Sequence, residues 1–177
     1  RAPAKLGLAA ATIAIIAPYH AEAAVEDDLR DGDKYFEDGD WKRAAAAYDR
    51  AIDKAPGQVP AEAYGKRAAI FIILKDYKGG VDFIAKAKRQ YPNAPEVMEQ
   101  EAVMLWEVDR KDESIRVAEK VVKARPQAFT NQKLIGEYYA QRDPVKTAAA
   151  FEGYLAHRPP ELLRQKRRLK SGVVRRG

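Results

Sequence analysis

The chain has 177 residues, 46% hydrophobic and 33% charged, a composition typical of a folded domain rather than a disordered chain. It contains no cysteine, which excludes disulfides, thiolate nucleophiles, cysteine-ligated zinc and iron–sulfur clusters. The formal net charge is +6, and residues 161–177 alone hold seven basic residues and one acidic residue. The remainder is electrically neutral, which argues against nucleic acid as the partner of the whole fold.

Residues 1–24 have the layout of a secretory signal. Two basic residues precede an apolar run over residues 6–17, which is shorter than the roughly 20 residues of a membrane-spanning helix. We expect Pro18 to end this run and the following Ala-Glu-Ala to mark a cleavage site just before Ala24. A membrane anchor and a buried N-terminal helix are the alternatives. The pattern predicts an exported chain that is periplasmic or associated with the outer membrane.

The middle of the chain contains a repeat. Prolines recur 36, 34 and 33 residues apart, and the residues between them share fixed offsets. Each segment predicts two antiparallel helices that approach each other closely at a small residue. The proline is expected to end the second helix. The small residues are Gly32, Ala68, Ala102 and Gly136, and the prolines are Pro56, Pro92, Pro126 and Pro159.

The second helix of each segment carries a buried stripe at helical spacing. In the first segment this stripe includes Ala44 and Tyr48. In the fourth segment it reads Ala148 and then slips by one residue to Phe151, and we place the slip in the turn around Asp143. Acidic pairs such as those in residues 38–40 are interpreted as turns rather than calcium ligands.

These spacings resemble the tetratricopeptide repeat family, and residues 39–56 (GDWKRAAAAYDRAIDKAP) are close to its second-helix consensus. Asp28 stands in place of the consensus tryptophan. The resemblance implies an all-α fold, a right-handed α-solenoid of about four helix pairs, with a C-terminal capping helix. We expect a signal-like segment at 1–24, a solenoid at 25–159 with repeats at about 25–58, 61–94, 95–127 and 128–159, and a basic helix or tail at 160–177.

In this family the first helix of each pair lines a concave groove. The run Ile70–Leu74 surrounds a helix with apolar side chains, so some of them should face that groove. We expect an apolar floor with a carboxylate rim that binds a basic or apolar peptide or helix of another protein. The expected groove residues are Phe36, Glu37, Glu62, Ile72, Ile73, Glu99, Val103, Trp106, Glu107 and Glu137.

The expected function is a non-catalytic interaction scaffold in a bacterial envelope complex concerned with secretion, motility or outer-membrane assembly. No nucleophile, base and orienting group converge in the sequence, so we expect no catalytic residue, metal or cofactor. Adjacent carboxylates such as Asp27 and Asp28 point to different helix faces and are expected to be solvated. The alternative function is a self-assembling structural protein whose exposed apolar residues join one chain to another.

The basic tail suits two roles. Its leucines could cover the last repeat as a capping helix, and its cations could contact anionic lipid or lipopolysaccharide. The residues expected at such an anionic surface are Arg164, Arg167, Arg168, Lys170, Arg175 and Arg176.

Overall fold

A computed structural model describes residues 7–160, with side chains from residue 22 onward. This part of the chain is helical, with short turns and no strand. The all-α class predicted from the repeat pattern is therefore confirmed. The helices are α1 (Gly7–Glu37), α2 (Trp41–Lys54), α3 (Ala61–Ile73), α4 (Tyr77–Gln90), α5 (Pro95–Glu107), α6 (Lys111–Ala124), α7 (Phe129–Tyr139) and α8 (Pro144–His157).

The chain divides into two compact units, of which unit 1 ends at Val97 and unit 2 begins at Met98. Unit 1 contains α1 to α4 and the first turn of α5, and unit 2 contains the remainder of α5 with α6 to α8. Turns of three or four residues join the two helices of each pair. Such short connections make the paired helices antiparallel neighbours.

Small residues sit where the paired helices approach most closely. All four residues predicted for this role are buried. A Cβ atom on Gly32 would lie 2.7 Å from a ring carbon of Tyr48, and one on Gly136 would lie 2.7 Å from a ring carbon of Phe151. Each glycine therefore leaves room for an aromatic ring from the second helix, and the predicted close approach is confirmed.

The turns between paired helices share one backbone conformation. Gly39, Lys75 and Asp109 occupy the equivalent position in the first three hairpins, with φ of 75°, 59° and 62°. Glycine adopts this left-handed conformation without a steric penalty, whereas lysine and aspartate are strained in it. In the first two hairpins the next residue is an aspartate that caps the second helix: Asp40 and Asp76 each accept a hydrogen bond from the backbone N–H three residues later.

In the fourth hairpin, the buried stripe of the second helix differs from the prediction by one residue. Ala148 is exposed, whereas Thr147 is half-buried and Ala150 is buried. The one-residue slip therefore precedes Thr147, because the turn before α8 displaces the whole helix. With this correction, Thr147, Ala150 and Phe151 follow the spacing of Ala44, Ala47 and Tyr48 in α2.

Helix α1 continues without a break through Pro18, the residue after the apolar run. Proline removes one backbone donor from a helix. The signal-like role expected of residues 1–24 stays a prediction. Among residues 7–160, no helix combines the length and the apolar character needed to cross a bilayer.

In unit 1, a buried arginine joins the first helix pair to the second. The Arg67 guanidinium on α3 donates from Nε and Nη2 to the two carboxylate oxygens of Asp49 on α2, at 2.8 and 3.0 Å. Its central carbon lies 4.0 Å from the centroid of the Phe71 ring and 5.4 Å from that of Phe83 on α4. The side chain is only 12% exposed, so this paired and stacked cation is part of the core between the pairs.

Candidate functional site

The expected groove residues of unit 1 lie at the ends of α1 and α3. Ile73 is 43% exposed and Ile72 is half-buried, while Glu37 and Glu62 are exposed. Phe36 has a different environment, because its ring packs edge-on against that of Trp41 with centroids 5.3 Å apart. Phe36 therefore packs within the first hairpin, and only part of its side chain is exposed.

The apolar run at the end of α3 divides between core and surface. Ile70 is fully buried, and the half-buried Phe71 packs against Phe83 with ring centroids 5.5 Å apart. Ile73 and the following Leu74 are 43% and 48% exposed. The expectation that this run cannot face a single neighbouring helix is confirmed, and its exposed part is the end nearest the turn.

Lys66 neutralises the centre of the unit 1 surface. Its Nζ donates to Asp33 Oδ1 at 2.8 Å and lies 3.0 Å from Glu62 Oε1. The Tyr48 hydroxyl donates to the same Asp33 oxygen at 2.6 Å. Burial raises the pKa of Asp33, but the bonds from Lys66 and Tyr48 more than offset this and hold the pKa below its ordinary value.

The sequence analysis did not predict the pairing of Lys66, although Lys66 follows Glu62 by four residues. Pairs at this spacing lie on one helix face, so the glutamate should have been expected to carry its own cation. Burial lowers the pKa of Lys66, whereas hydrogen bonds to Asp33 and Glu62 raise it, and the net shift is upward. The lysine therefore stays charged and committed to these two carboxylates.

Asp28 forms a second charged cluster, at the opposite end of the first hairpin. It is 7% exposed and accepts hydrogen bonds from Arg50 Nε at 2.8 Å and Lys54 Nζ at 2.6 Å. The prediction that Asp27 and Asp28 are both solvated is wrong for Asp28, because α2 places two cations against it. Burial raises the pKa of Asp28, but the bonds from Lys54 and Arg50 outweigh that effect and lower it.

The expected groove residues of unit 2 combine one apolar area with paired charges. Val103 and Trp106 are partly buried and pack against the unit 2 core, which includes Leu134 and Ile135. Lys111 Nζ lies 5.4 Å from the centroid of the Trp106 ring. Trp106 thus has one face in the core and a cation beside it, while the neighbouring Glu107 is exposed.

Three of the five expected rim carboxylates have intramolecular partners. Besides Glu62, Glu99 lies 3.4 Å from Arg125 and Glu137 lies 3.3 Å from Lys133. Glu37 and Glu107 form no ion pair with any residue in the part of the chain that the structure describes. The rim is therefore less acidic than its sequence suggests, and its role in binding remains a prediction.

The residues expected at an anionic surface, and the expected capping helix, lie beyond residue 160 and so outside the described part of the chain. Within residues 22–160, no three histidine or acidic side chains are grouped in a way that could hold a metal ion.

Repeated helix pairs with a small residue opposite an aromatic ring indicate a specific family. A sequence profile of the tetratricopeptide repeat matches residues 29–95. Residues 29–95 therefore carry tetratricopeptide repeats. The resemblance found in the sequence is confirmed, and so is the predicted fold class. No curated protein sequence matches this chain significantly.

Solved structures of several bacterial and eukaryotic proteins resemble this chain. They include PilF of Pseudomonas aeruginosa, with 18% identity, a TM-score of 0.63, and coverage of 77% of this chain and 62% of that chain. MamA from Desulfovibrio magneticus RS-1 has 18% identity and a TM-score of 0.57, covering 80% and 76%. The TPR2B domain of yeast Sti1, solved in complex with pHsp70, has 19% identity and a TM-score of 0.52, covering 77% and 99%.

At these identities the likeness shows the fold. Tetratricopeptide repeats are typically non-catalytic, and their fold supports a protein–protein interaction scaffold.

Proposed function

We propose that this chain is a non-catalytic scaffold that binds an apolar or basic peptide segment of a partner protein at the ends of its first helices. The exposed end of α3 carries the proposal, since Ile73 and Leu74 are 43% and 48% exposed beside the half-buried Ile72. Neighbouring apolar side chains that are exposed on a folded unit are typical of an interaction surface.

The preference for basic partners depends on a carboxylate of unit 1, Glu37. It is exposed and forms no ion pair within the described residues, whereas Glu62 of the same unit is already paired. Exposed charges of this kind contribute more to association rate and specificity than to affinity. We therefore expect apolar contacts to supply the affinity, and one or two lysines or arginines in the peptide to supply the preference.

A displayed library of random peptides, selected on the full chain, tests the proposal. We expect selected peptides to combine large apolar residues with lysine or arginine. Ile73→Asp should weaken their binding by at least about tenfold, because a carboxylate in an apolar contact must be desolvated. Circular dichroism should remain unchanged, since this side chain is largely outside the core.

Leu155→Asp is the matched control, because Leu155 on α8 is 53% exposed and belongs to a second helix of a pair. Equal losses for Ile73→Asp and Leu155→Asp, or selected peptides that are acidic, would contradict the proposed surface. Replacing Glu37 with glutamine should reduce the preference for basic peptides about twofold and weaken its salt dependence. Mass measured across a dilution series separates peptide binding from the self-assembly alternative.

The proposed location is the bacterial envelope, in a complex concerned with secretion, motility or outer-membrane assembly. Support comes from the basic start and the apolar run over residues 6–17. Fractionation of a C-terminally tagged chain tests the location, and Ile15→Asp, which interrupts the apolar run, should retain the chain in the cytoplasm. An unchanged distribution for this variant would refute export through this segment.

A further inference from the structure

Helix α1 extends well beyond its partner α2. It has 31 residues against 14 in α2, which corresponds to about 46 Å against about 21 Å. Lys54, the last residue of α2, donates from Nζ to the backbone oxygen of Ala24 at 3.4 Å. The end of α2 is therefore level with Ala24, and α1 continues past it over residues 7–23.

The Asp28 cluster holds α1 immediately after this point. Arg50 and Lys54 approach Asp28 from α2, and this carboxylate is the most deeply buried acidic side chain that the structure describes. Five and six residues N-terminal to it, Ala23 and Glu22 are exposed. The attachment of α1 to the first hairpin thus begins between Ala24 and Asp28.

The charge pattern of α1 changes at the same place. Its own first turn has no acidic residue, but residues 26–28 read Glu-Asp-Asp. Carboxylates stabilise a helix when they lie in its first turn, where backbone N–H groups are unpaired. These three are in mid-helix in the uncut chain. In a helix that started at Ala24, Glu26 and Asp27 would lie in the first turn and Asp28 would follow directly after it.

We propose that the peptide bond between Ala23 and Ala24 is a processing site and that the Asp28 cluster makes Ala24 the start of the folded unit. Hydrolysis by a protease consumes one water and leaves a carboxylate on Ala23 and an amino group on Ala24. Proteases need an extended substrate, so the helix must open from its free end before cleavage. Opening stops where Asp28, Arg50 and Lys54 attach α1 to α2.

Limited digestion of the full chain with proteinase K tests the attachment, because this broad-specificity enzyme has sites on both sides of Ala24. The mass of the resistant product should correspond to a start within residues 22–25. In Asp28→Asn, products that start between residues 29 and 41 should form at least about tenfold faster. Asp27→Asn is the matched control and should behave as the unchanged chain, since within the described residues Asp27 pairs only with the exposed Arg30.

A second variant, Lys54→Gln, keeps the hydrogen bond from Arg50 to Asp28 and is used if Asp28→Asn does not fold. It should accelerate the same cleavages by a smaller factor than Asp28→Asn. Two results would refute the role of the Asp28 cluster. One is a resistant product that still starts within residues 22–25 in both Asp28→Asn and Lys54→Gln. The other is cleavage of the unchanged chain within residues 29–37 as fast as cleavage before Ala24. In cells, the chain recovered from the envelope fraction should begin at Ala24. A recovered chain that retains residues 1–23 would overturn the processing site, whatever the peptide-binding experiment shows.

Discussion

Substituting Gly32 with alanine tests the close approach in the first hairpin. The added Cβ would lie 2.7, 2.8 and 3.1 Å from three ring carbons of Tyr48. That ring is fully buried, and its hydroxyl donates to Asp33 at 2.6 Å, so it cannot move aside without losing a hydrogen bond. Overpacking of this kind costs about 1–3 kcal/mol, and the better helix propensity of alanine returns up to about 1 kcal/mol.

We therefore expect Gly32→Ala to lower the free energy of unfolding by about 1–2 kcal/mol, or the melting temperature by about 2–8 °C. Urea denaturation followed by circular dichroism measures the loss. Tyr48→Phe removes the hydroxyl that holds the ring, so the double variant should lose at least about 0.5 kcal/mol less than the sum of the two single variants. Unchanged stability in Gly32→Ala, or strict additivity in the double variant, would refute the reasoning.

Three further outcomes follow from individual side chains. Lys75→Gly should raise stability by about 0.5–1 kcal/mol in the same urea assay, because it relieves the left-handed backbone at φ 59°. The pKa of Asp28 lies below its ordinary value of 3.8, so its contribution is present above that pH and is lost as the pH falls through the lower folded-state pKa. Melting curves at pH 5 and pH 3 should therefore differ more for the unchanged chain and Asp27→Asn than for Asp28→Asn. Ala148→Lys should change stability by less than about 0.5 kcal/mol, as an exposed position requires, whereas the stripe first predicted would bury it.

The sequence predicts the contacts that depend on spacing along a helix. Gly32 and Tyr48 follow from helical periodicity and a short turn, and the structure places the ring against the glycine. The division of the run from Ile70 to Leu74 also follows, because five adjacent positions surround a helix. These features need only local geometry, which a single sequence contains.

Contacts between side chains distant in sequence could not be predicted in this way. Asp28 meets Arg50 and Lys54 across 22 and 26 residues, and its burial depends on the lengths and orientations of both helices. The slip lies before Thr147, in agreement with its predicted place in the turn around Asp143, but the sequence did not show that Thr147 and not Ala148 belongs to the stripe. The pairing of Glu99 with Arg125 likewise could not be predicted without the three-dimensional structure.

The consecutive residues Lys66 and Arg67 on α3 bind different helices of the first pair. Lys66 bonds to Asp33 on α1, and Arg67 bonds to Asp49 on α2. Neighbouring repeats gain cooperativity from the strength of their shared interface. The first two repeats should consequently melt in a single transition, and an evolutionary insertion in the loop between them would be tolerated only if it left both ionic contacts in place.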